Sequence, residues 1–207
     1  MKWTLPNTLT VLRLLAAPGV VVMFLYFQRP YADWFALTLF VLAAITDYFD
    51  GYLARLWKQE SKFGAMLDPI ADKAMVIIAI MVITGYSGMN PWLILPATVI
   101  LFREVFVSGL REFLGAKAGL LTVTKLAKWK TTAQMVAIAV LFLGTGLAYI
   151  EDGRPPRAGE GELKAVLSLA ATATHAGTIL IWIAALLTAV TGWDYFRKAL
   201  PHLKDDT

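Results

Sequence analysis

Residues 33–55 read DWFALTLFVLAAITDYFDGYLAR, and this stretch decides the class of fold. Nothing charged occurs from Trp34 to Thr46; Asp47, Asp50 and Arg55 then follow in quick succession. A run of this length is what a helix needs to cross about 30 Å of hydrocarbon, for which ~20 apolar residues suffice. Carboxylates in such a helix cost roughly 2.5–3.5 kcal/mol each at the bilayer centre, so they mark function by default.

Outward from this stretch the pattern repeats. Spans are expected at 8–28, 33–55, 69–86, 91–114, 127–149 and 168–196. Arg29-Pro30, the Gly85–Pro91 segment, the stretch from Gly115 to Lys125 and the polar stretch from Glu151 to Glu162 punctuate them. Apolar residues make up 58% of the 207-residue chain and charged ones 16%, against ~45–50% and ~25% for an average globular protein. That balance excludes a disordered chain or a nucleic-acid-coating protein, and no nucleic-acid partner is expected. The expected fold class is all-α: a single polytopic membrane domain over residues 1–207 with six transmembrane helices. Cys is absent, so no disulfide, thiolate metal site or Cys nucleophile is available. Lys2 and the apolar run after it read as a first span and not as a cleaved leader, because no small-residue cleavage site follows Phe24-Leu25-Tyr26-Phe27.

The basic residues give an orientation. With six spans, fifteen Lys and Arg fall on the side shared by both termini and only four (Arg29, Arg154, Arg157 and Lys164) on the other. Both termini are therefore expected in the cytoplasm of a cell (inner) membrane protein. Trp193 and Tyr195, followed by Arg197-Lys198, look like an interfacial anchor for the last span. The net charge of +4 suits a surface beside anionic headgroups.

Four aspartates, Asp47, Asp50, Asp68 and Asp72, fall within 26 residues. Asp47 and Asp50 share a helix face at i, i+3, which Gly51, Ala54 and Arg55 continue. Asp68 and Asp72 are i, i+4 at the expected start of the third helix, where Pro69 suits the first turn and Asp68 can cap it. The short connection from Leu56 to Leu67 then brings the carboxylates together. Four like charges repel unless protons or cations intervene. All-oxygen ligands select a hard ion, Mg²⁺ or Mn²⁺, and two such ions can clamp the attacking and leaving oxygens of a phosphoryl displacement. On charge alone, a carboxylate-lined cation transporter is the rival reading.

The spacing around these charges is Asp47-x2-Asp50-Gly51-x2-Ala54-Arg55-x8-Gly64-x3-Asp68-x3-Asp72. Eight such fixed positions match by chance on the order of 10⁻¹⁰ per starting site. The string resembles the signature of the CDP-alcohol phosphotransferases, membrane enzymes that join a CDP-activated alcohol to a second alcohol and release CMP. The resemblance implies that Asp47, Asp50, Asp68 and Asp72 hold two divalent ions and that Asp72 is also the general base. It implies that Gly51, Arg55 and Ser61 contact the CDP portion of CDP-diacylglycerol, with Gly64 at the turn below the nucleotide, and that the enzyme is a homodimer. Pro6-Asn7-Thr8-Leu9-Thr10-x2-Arg13 resembles the stretch closing over the nucleotide, through Asn7, Thr10 and Arg13. Asn7 as a plain helix cap and Arg13 as a snorkelling cation are the alternative.

The acceptor is signalled further along. Arg103-Glu104 and Arg111-Glu112 lie eight residues apart on one face, and Lys125, Lys128 and Lys130 follow at the start of the fifth span. Guanidinium groups reaching inward from a membrane helix match a small phosphorylated acceptor; pairing with Glu104 and Glu112, or snorkelling, is the alternative. These strings, with Phe63–Lys73 and Lys128–Gln134, resemble the branch of the family that uses glycerol 3-phosphate. Sister branches use inositol phosphate or serine. The active site is expected at the cytoplasmic interface, with acyl chains left among the membrane lipids.

Overall fold

The computed structural model describes residues 4–57, 61–115, 125–152 and 160–202; within its helices the side chains of residues 48–55, 125–128, 150–152 and 160–165 fall outside the description. The described residues form six α-helices: α1 (Leu5–Tyr26), α2 (Tyr31–Leu56), α3 (Lys62–Tyr86), α4 (Pro91–Leu114), α5 (Lys125–Asp152) and α6 (Glu160–Ala199). A 3₁₀ turn, Leu200–His202, follows α6, and there is no strand among the described residues. The fold is all-α.

Local chemistry sets the helix ends. Thr4 caps α1 and Pro6 sits in its first turn, where a missing N–H costs nothing. Asn90 caps α4 through the Trp92 N–H at 3.0 Å, with Pro91 next. Gly115 closes α4 at φ +51, a left-handed position that suits glycine, and its N–H meets the carbonyls of Arg111 and Glu112. Helix α3 departs from expectation. It starts at Lys62 and not beside Asp68, because the Ser61 hydroxyl accepts the Gly64 N–H at 2.9 Å and caps the helix early. Pro69 therefore lies inside α3, and Asp68 and Asp72 are helical residues past its first turn.

Among the described residues, four helices are long and apolar enough to cross a membrane, by length and composition: Leu5–Tyr26, Pro91–Leu114, Trp129–Tyr149 and Val166–His202. The chain is a membrane protein. The other two helices, α2 and α3, carry the aspartates. Helix α1 packs on both of them, α2 also meets α5, α5 lies along α6, and α6 packs on α4. The core is built from Phe40, Met75, Ile80, Ile100, Ile138 and Phe142. Small residues let the backbones approach, as membrane packing requires. A Cβ on Gly177 would lie 2.8 Å from the Leu141 side chain and 3.1 Å from its backbone nitrogen, so α5 and α6 cross in near contact there. Tyr195 is buried against α4, leaving Trp193 as the outward-facing half of the expected anchor.

Candidate active site

Helix α1 presents Asn7, Thr10 and Arg13 at three-residue spacing, one face of a helix, and all three are buried. Each is matched to a group on a neighbouring helix. The Thr10 hydroxyl lies 2.7 Å from Asp68 Oδ1, nearer than its own helical acceptor, the Pro6 carbonyl at 3.1 Å. Arg13 Nη1 donates both to Asp47 Oδ1 on α2 and to Asp72 Oδ1 on α3. Because one nitrogen serves both acceptors, the two carboxylates are immediate neighbours. The Arg13 side chain is 2% exposed, whereas those of Asp47 and Asp72 are 46% and 50% exposed. The guanidinium is therefore the floor of the site, and the carboxylates are its accessible walls.

This geometry decides the alternatives for the amino-terminal stretch. Asn7 is no cap, since Thr4 fills that position. Its Oδ1 accepts from the Ser61 hydroxyl at 2.8 Å, tying α1 to the start of α3. A Cβ on Gly64 would fall 2.8 Å from that same oxygen, so only glycine allows the contact without a shift. Nor does Arg13 snorkel; it is inside, holding α2 and α3 together. Thr10, Arg13, Asp47, Asp68 and Asp72 converge, with Asn7, Ser61 and Gly64 forming the adjoining hinge. The side chains of Asp50, Gly51 and Arg55 on α2, and of Lys125 and Lys128 on α5, lie outside the described residues.

A cavity of about 260 Å³ opens over Arg13, Asp47 and Asp72, with Thr131 and Thr132 of α5 on its far side. Beyond it lies a basic group. Lys130 Nζ donates to Glu104 Oε1, which also lies 3.2 Å from Arg103 Nη1. Lys73, next in sequence to Asp72, donates to the Ser108 hydroxyl, which in turn donates to the Glu104 carbonyl at 2.6 Å. Two cations thus meet the Glu104 carboxylate, and a third reaches its backbone carbonyl through Ser108. Arg111 stands apart, stacked on the Tyr195 ring with its guanidinium carbon 5.3 Å from the centroid, and donates from Nε to the Tyr195 hydroxyl at 3.3 Å. The Arg103–Glu104 pairing, the alternative to acceptor binding, is present, but it leaves the cluster net positive. Lys73 is the residue that sequence reasoning missed; its place directly after Asp72 was the available signal. Arg103 Nε, Gln134 Oε1 and Thr188 Oγ1 are buried with no hydrogen-bond partner among the described residues.

Two carboxylate-bearing helices joined by a buried arginine, beside a basic group inside a membrane bundle, define an enzyme-like site for a charged ligand. Residues 3–191 match the CDP-alcohol phosphatidyltransferase family model, and the chain belongs to that family. It is 72% identical over 220 residues, covering both chains fully, to a Cereibacter sphaeroides protein named CDP-diacylglycerol–glycerol-3-phosphate 3-phosphatidyltransferase. Proteins of the same name from Rickettsia bellii and Salmonella typhimurium are 41% and 35% identical, over 93% of both chains and over 99% of this chain and 100% of the other.

Members of the family generally depend on a divalent metal. The donors here fit such an ion in kind, since carboxylate oxygens suit hard cations. They fit in charge as well, because Asp47, Asp68 and Asp72 outnumber the guanidinium that touches two of them. No three potential ligands form a chelating group among the described residues.

Proposed function

We propose that this protein transfers the phosphatidyl group of CDP-diacylglycerol to the primary hydroxyl of sn-glycerol 3-phosphate, giving phosphatidylglycerophosphate and CMP. The observation that carries the reading is the juxtaposition of the Arg13-centred carboxylates with the Arg103–Glu104–Lys130–Lys73 group. One charge pattern suits a metal-bound diphosphate and the other a phosphorylated acceptor. The names of the relatives point to the same pair of substrates.

Asp47, Asp50, Asp68 and Asp72 would hold Mg²⁺ or Mn²⁺, two ions per site, which would supply charge neutralisation for the diphosphate. Asn7, Thr10, Arg13, Gly51, Arg55, Ser61 and Gly64 form the CDP-diacylglycerol side. Asp72 accepts the proton of the acceptor hydroxyl as that oxygen attacks the β-phosphorus in line and the phosphorus–oxygen bond to CMP breaks. Half exposure lets the Asp72 carboxylate meet an incoming hydroxyl, while the bond from Arg13 fixes its orientation. Arg103 and Lys130, with Lys73, hold the acceptor phosphate; Lys125 and Lys128 on α5 and Arg111 at the rim add to the field that draws it in.

In this reading the chain is one membrane domain with six spans, both termini cytoplasmic, a homodimer in the cell membrane, with its site at the cytoplasmic interface. Purified protein in mixed micelles, given CDP-diacylglycerol, Mg²⁺ and each of glycerol 3-phosphate, inositol phosphate and serine, tests the proposal. CMP release is expected with glycerol 3-phosphate alone and should stop on chelation with EDTA. Release with another acceptor only would move the protein to a sister activity.

A further inference from the structure

Ser108 stands on α4 one turn beyond Glu104, within the basic group but carrying no charge of its own. Its hydroxyl donates to the Glu104 carbonyl at 2.6 Å, the bond that a serine inside a helix makes to the carbonyl four residues back. A hydroxyl has one proton to give and two lone pairs with which to receive. With the proton spent on Glu104, the oxygen can only accept, and it accepts from Lys73 Nζ on α3. That is the one hydrogen bond Lys73 makes among the described residues, so two of the three N–H groups of its ammonium stay open to a ligand. Glu104 thus organises all three cations. Its carboxylate takes Lys130 and Arg103, and its main chain takes Lys73 through Ser108.

Lys73 needs such a hold. It follows Asp72 directly, and consecutive helical residues do not face each other, so its charge leaves the acidic side of α3 and crosses to α4. A lysine head is a strongly hydrated point charge on a flexible four-carbon stem, and unheld it samples many positions. We infer that Ser108 is a positioning residue for acceptor recognition: its hydroxyl, already committed to the Glu104 carbonyl, fixes the Lys73 ammonium in one group with Arg103 and Lys130, so that a phosphate meets three cations. The inference rests on the proposed function for the phosphate that the acceptor carries. The Ser108–Lys73 pair itself does not depend on which alcohol bears that phosphate. Ser108 bonds to none of the aspartates and not to Arg13 among the described residues. Its loss therefore falls on the acceptor and leaves the donor side alone.

The test measures Michaelis constants in mixed micelles with Mg²⁺, CDP-diacylglycerol and glycerol 3-phosphate, and separately the equilibrium affinity for inorganic phosphate with neither donor nor metal. Ser108→Thr keeps the hydroxyl, and Ser108→Val has the same shape without it. In Ser108→Val, KM for glycerol 3-phosphate is expected to rise about fivefold to tenfold, the loss of one hydrogen bond to a charged group. Both kcat and KM for CDP-diacylglycerol should stay within about twofold, since only acceptor binding is touched. Ser108→Thr should behave as wild type. Lys73→Met should raise the acceptor KM at least as far, and adding Ser108→Val to it should cost less than about twofold more, because the hydroxyl then has nothing to hold. Affinity for inorganic phosphate should fall in the same order. If the two β-branched variants do not fold, Ser108→Ala with and without Lys73→Met completes the same cycle. Equal losses in Ser108→Thr and Ser108→Val, a parallel fall in kcat with both substrates, or a full further loss on top of Lys73→Met overturns the assignment. Wild-type protein that binds phosphate through this pair yet releases no CMP with glycerol 3-phosphate would sink the proposed function and leave the pair standing.

Discussion

Two arginines stand at opposite ends of the bundle, and each meets carboxylates. Arg29, between α1 and α2, faces Asp33 in a two-pronged pair: Nε to Oδ2 at 2.7 Å and Nη2 to Oδ1 at 2.5 Å. Asp33 is fully buried, and Arg29 is flanked by the rings of Tyr149, Tyr86 and Phe24 at 4.7, 5.2 and 5.8 Å. The hydrogen bond to Asp33 leads in raising the Arg29 pKa above its already high ordinary value, so the guanidinium keeps its charge. Charge is balanced one to one and enclosed by aromatic faces. Arg13 is the reverse: its single Nη1 is divided between Asp47 and Asp72, which remain half exposed, with Asp68 nearby on Thr10. A matched pair whose carboxylate is fully buried locks helices together. An acidic excess open to solvent is a place for something else to bind. The contrast separates structure from function more sharply than burial alone, since both guanidinium groups touch the core.

The strongest way to break this contrast is at Asp72. In Asp72→Asn the amide oxygen still accepts from Arg13, so α1 and α3 stay joined, but the proton acceptor is gone. Turnover should fall by about 10²–10⁴, the range for loss of a general base, while CDP-diacylglycerol still binds. Steady-state CMP release together with donor binding measures both. Full retained rate would remove the base assignment and make Asp72 a tether like Asp33.

Arg29→Met should do the opposite. It strands the buried Asp33 carboxylate, an uncompensated charge costing about 3–5 kcal/mol, while each folded molecule keeps its activity. Denaturation in mixed micelles gives the first quantity and specific activity of the folded fraction the second. Adding Asp33→Asn to the same chain should restore most of the stability, because the charge and its lost partner are then both removed. A catalytic defect in folded Arg29→Met protein would show that the two ends are coupled.

Much of this was readable beforehand, and what was not has two causes, a competing local cap and partners distant in sequence. Apolar run length and turn residues give the six helices of the described residues, and the aspartate spacing points to the one site where Asp47, Asp68 and Asp72 meet, because both signals are local. The start of α3 was misplaced because Asp68-Pro69 carries a valid cap signature, yet Ser61 offers a competing one that accepts the Gly64 N–H. The role of Arg13 stayed open because its partners lie 34 and 59 residues away. A lone arginine in an apolar helix carries no local sign of whether it reaches inward or out. Lys73 escaped for the same reason, since Ser108 is 35 residues distant. Tyr195 was assigned to the interface on composition, but its hydroxyl and ring serve Arg111 across the α4–α6 contact.

Within the open end, the basic group sharpens the comparison by sorting its own members. Lys130 is buried and bonded to Glu104, whereas Arg111 is exposed on Tyr195. Lys130→Met should raise KM for glycerol 3-phosphate about tenfold to a hundredfold, the loss of one charged hydrogen bond worth ~1.5–3 kcal/mol. KM for CDP-diacylglycerol should hardly move. Arg111→Met, acting from the rim, should cost about threefold or less, as screened charges do. If the order were reversed, the acceptor phosphate would sit nearer Tyr195 than Asp72.

The smallest effect belongs to an ion pair that shares the site's end of the bundle but not its character. Lys198 Nζ meets Asp194 Oδ2 at 2.7 Å, four residues apart on α6, with side chains 35% and 44% exposed. Both partners are wetted, so water already serves each charge, and pairs of this spacing contribute about 0.3–0.5 kcal/mol. Lys198 also lies in the last turn of α6, where a cation gains a few tenths more from the helix dipole. Lys198→Ala should therefore lower stability by less than about 1 kcal/mol and leave both Michaelis constants unchanged. A loss several times larger would mean that the end of α6 is held by charge and not by Tyr195 and Ala199 packing on α4. Proximity to the aspartates would then have to be weighed for every cation at that end, including those that touch neither carboxylate cluster nor acceptor.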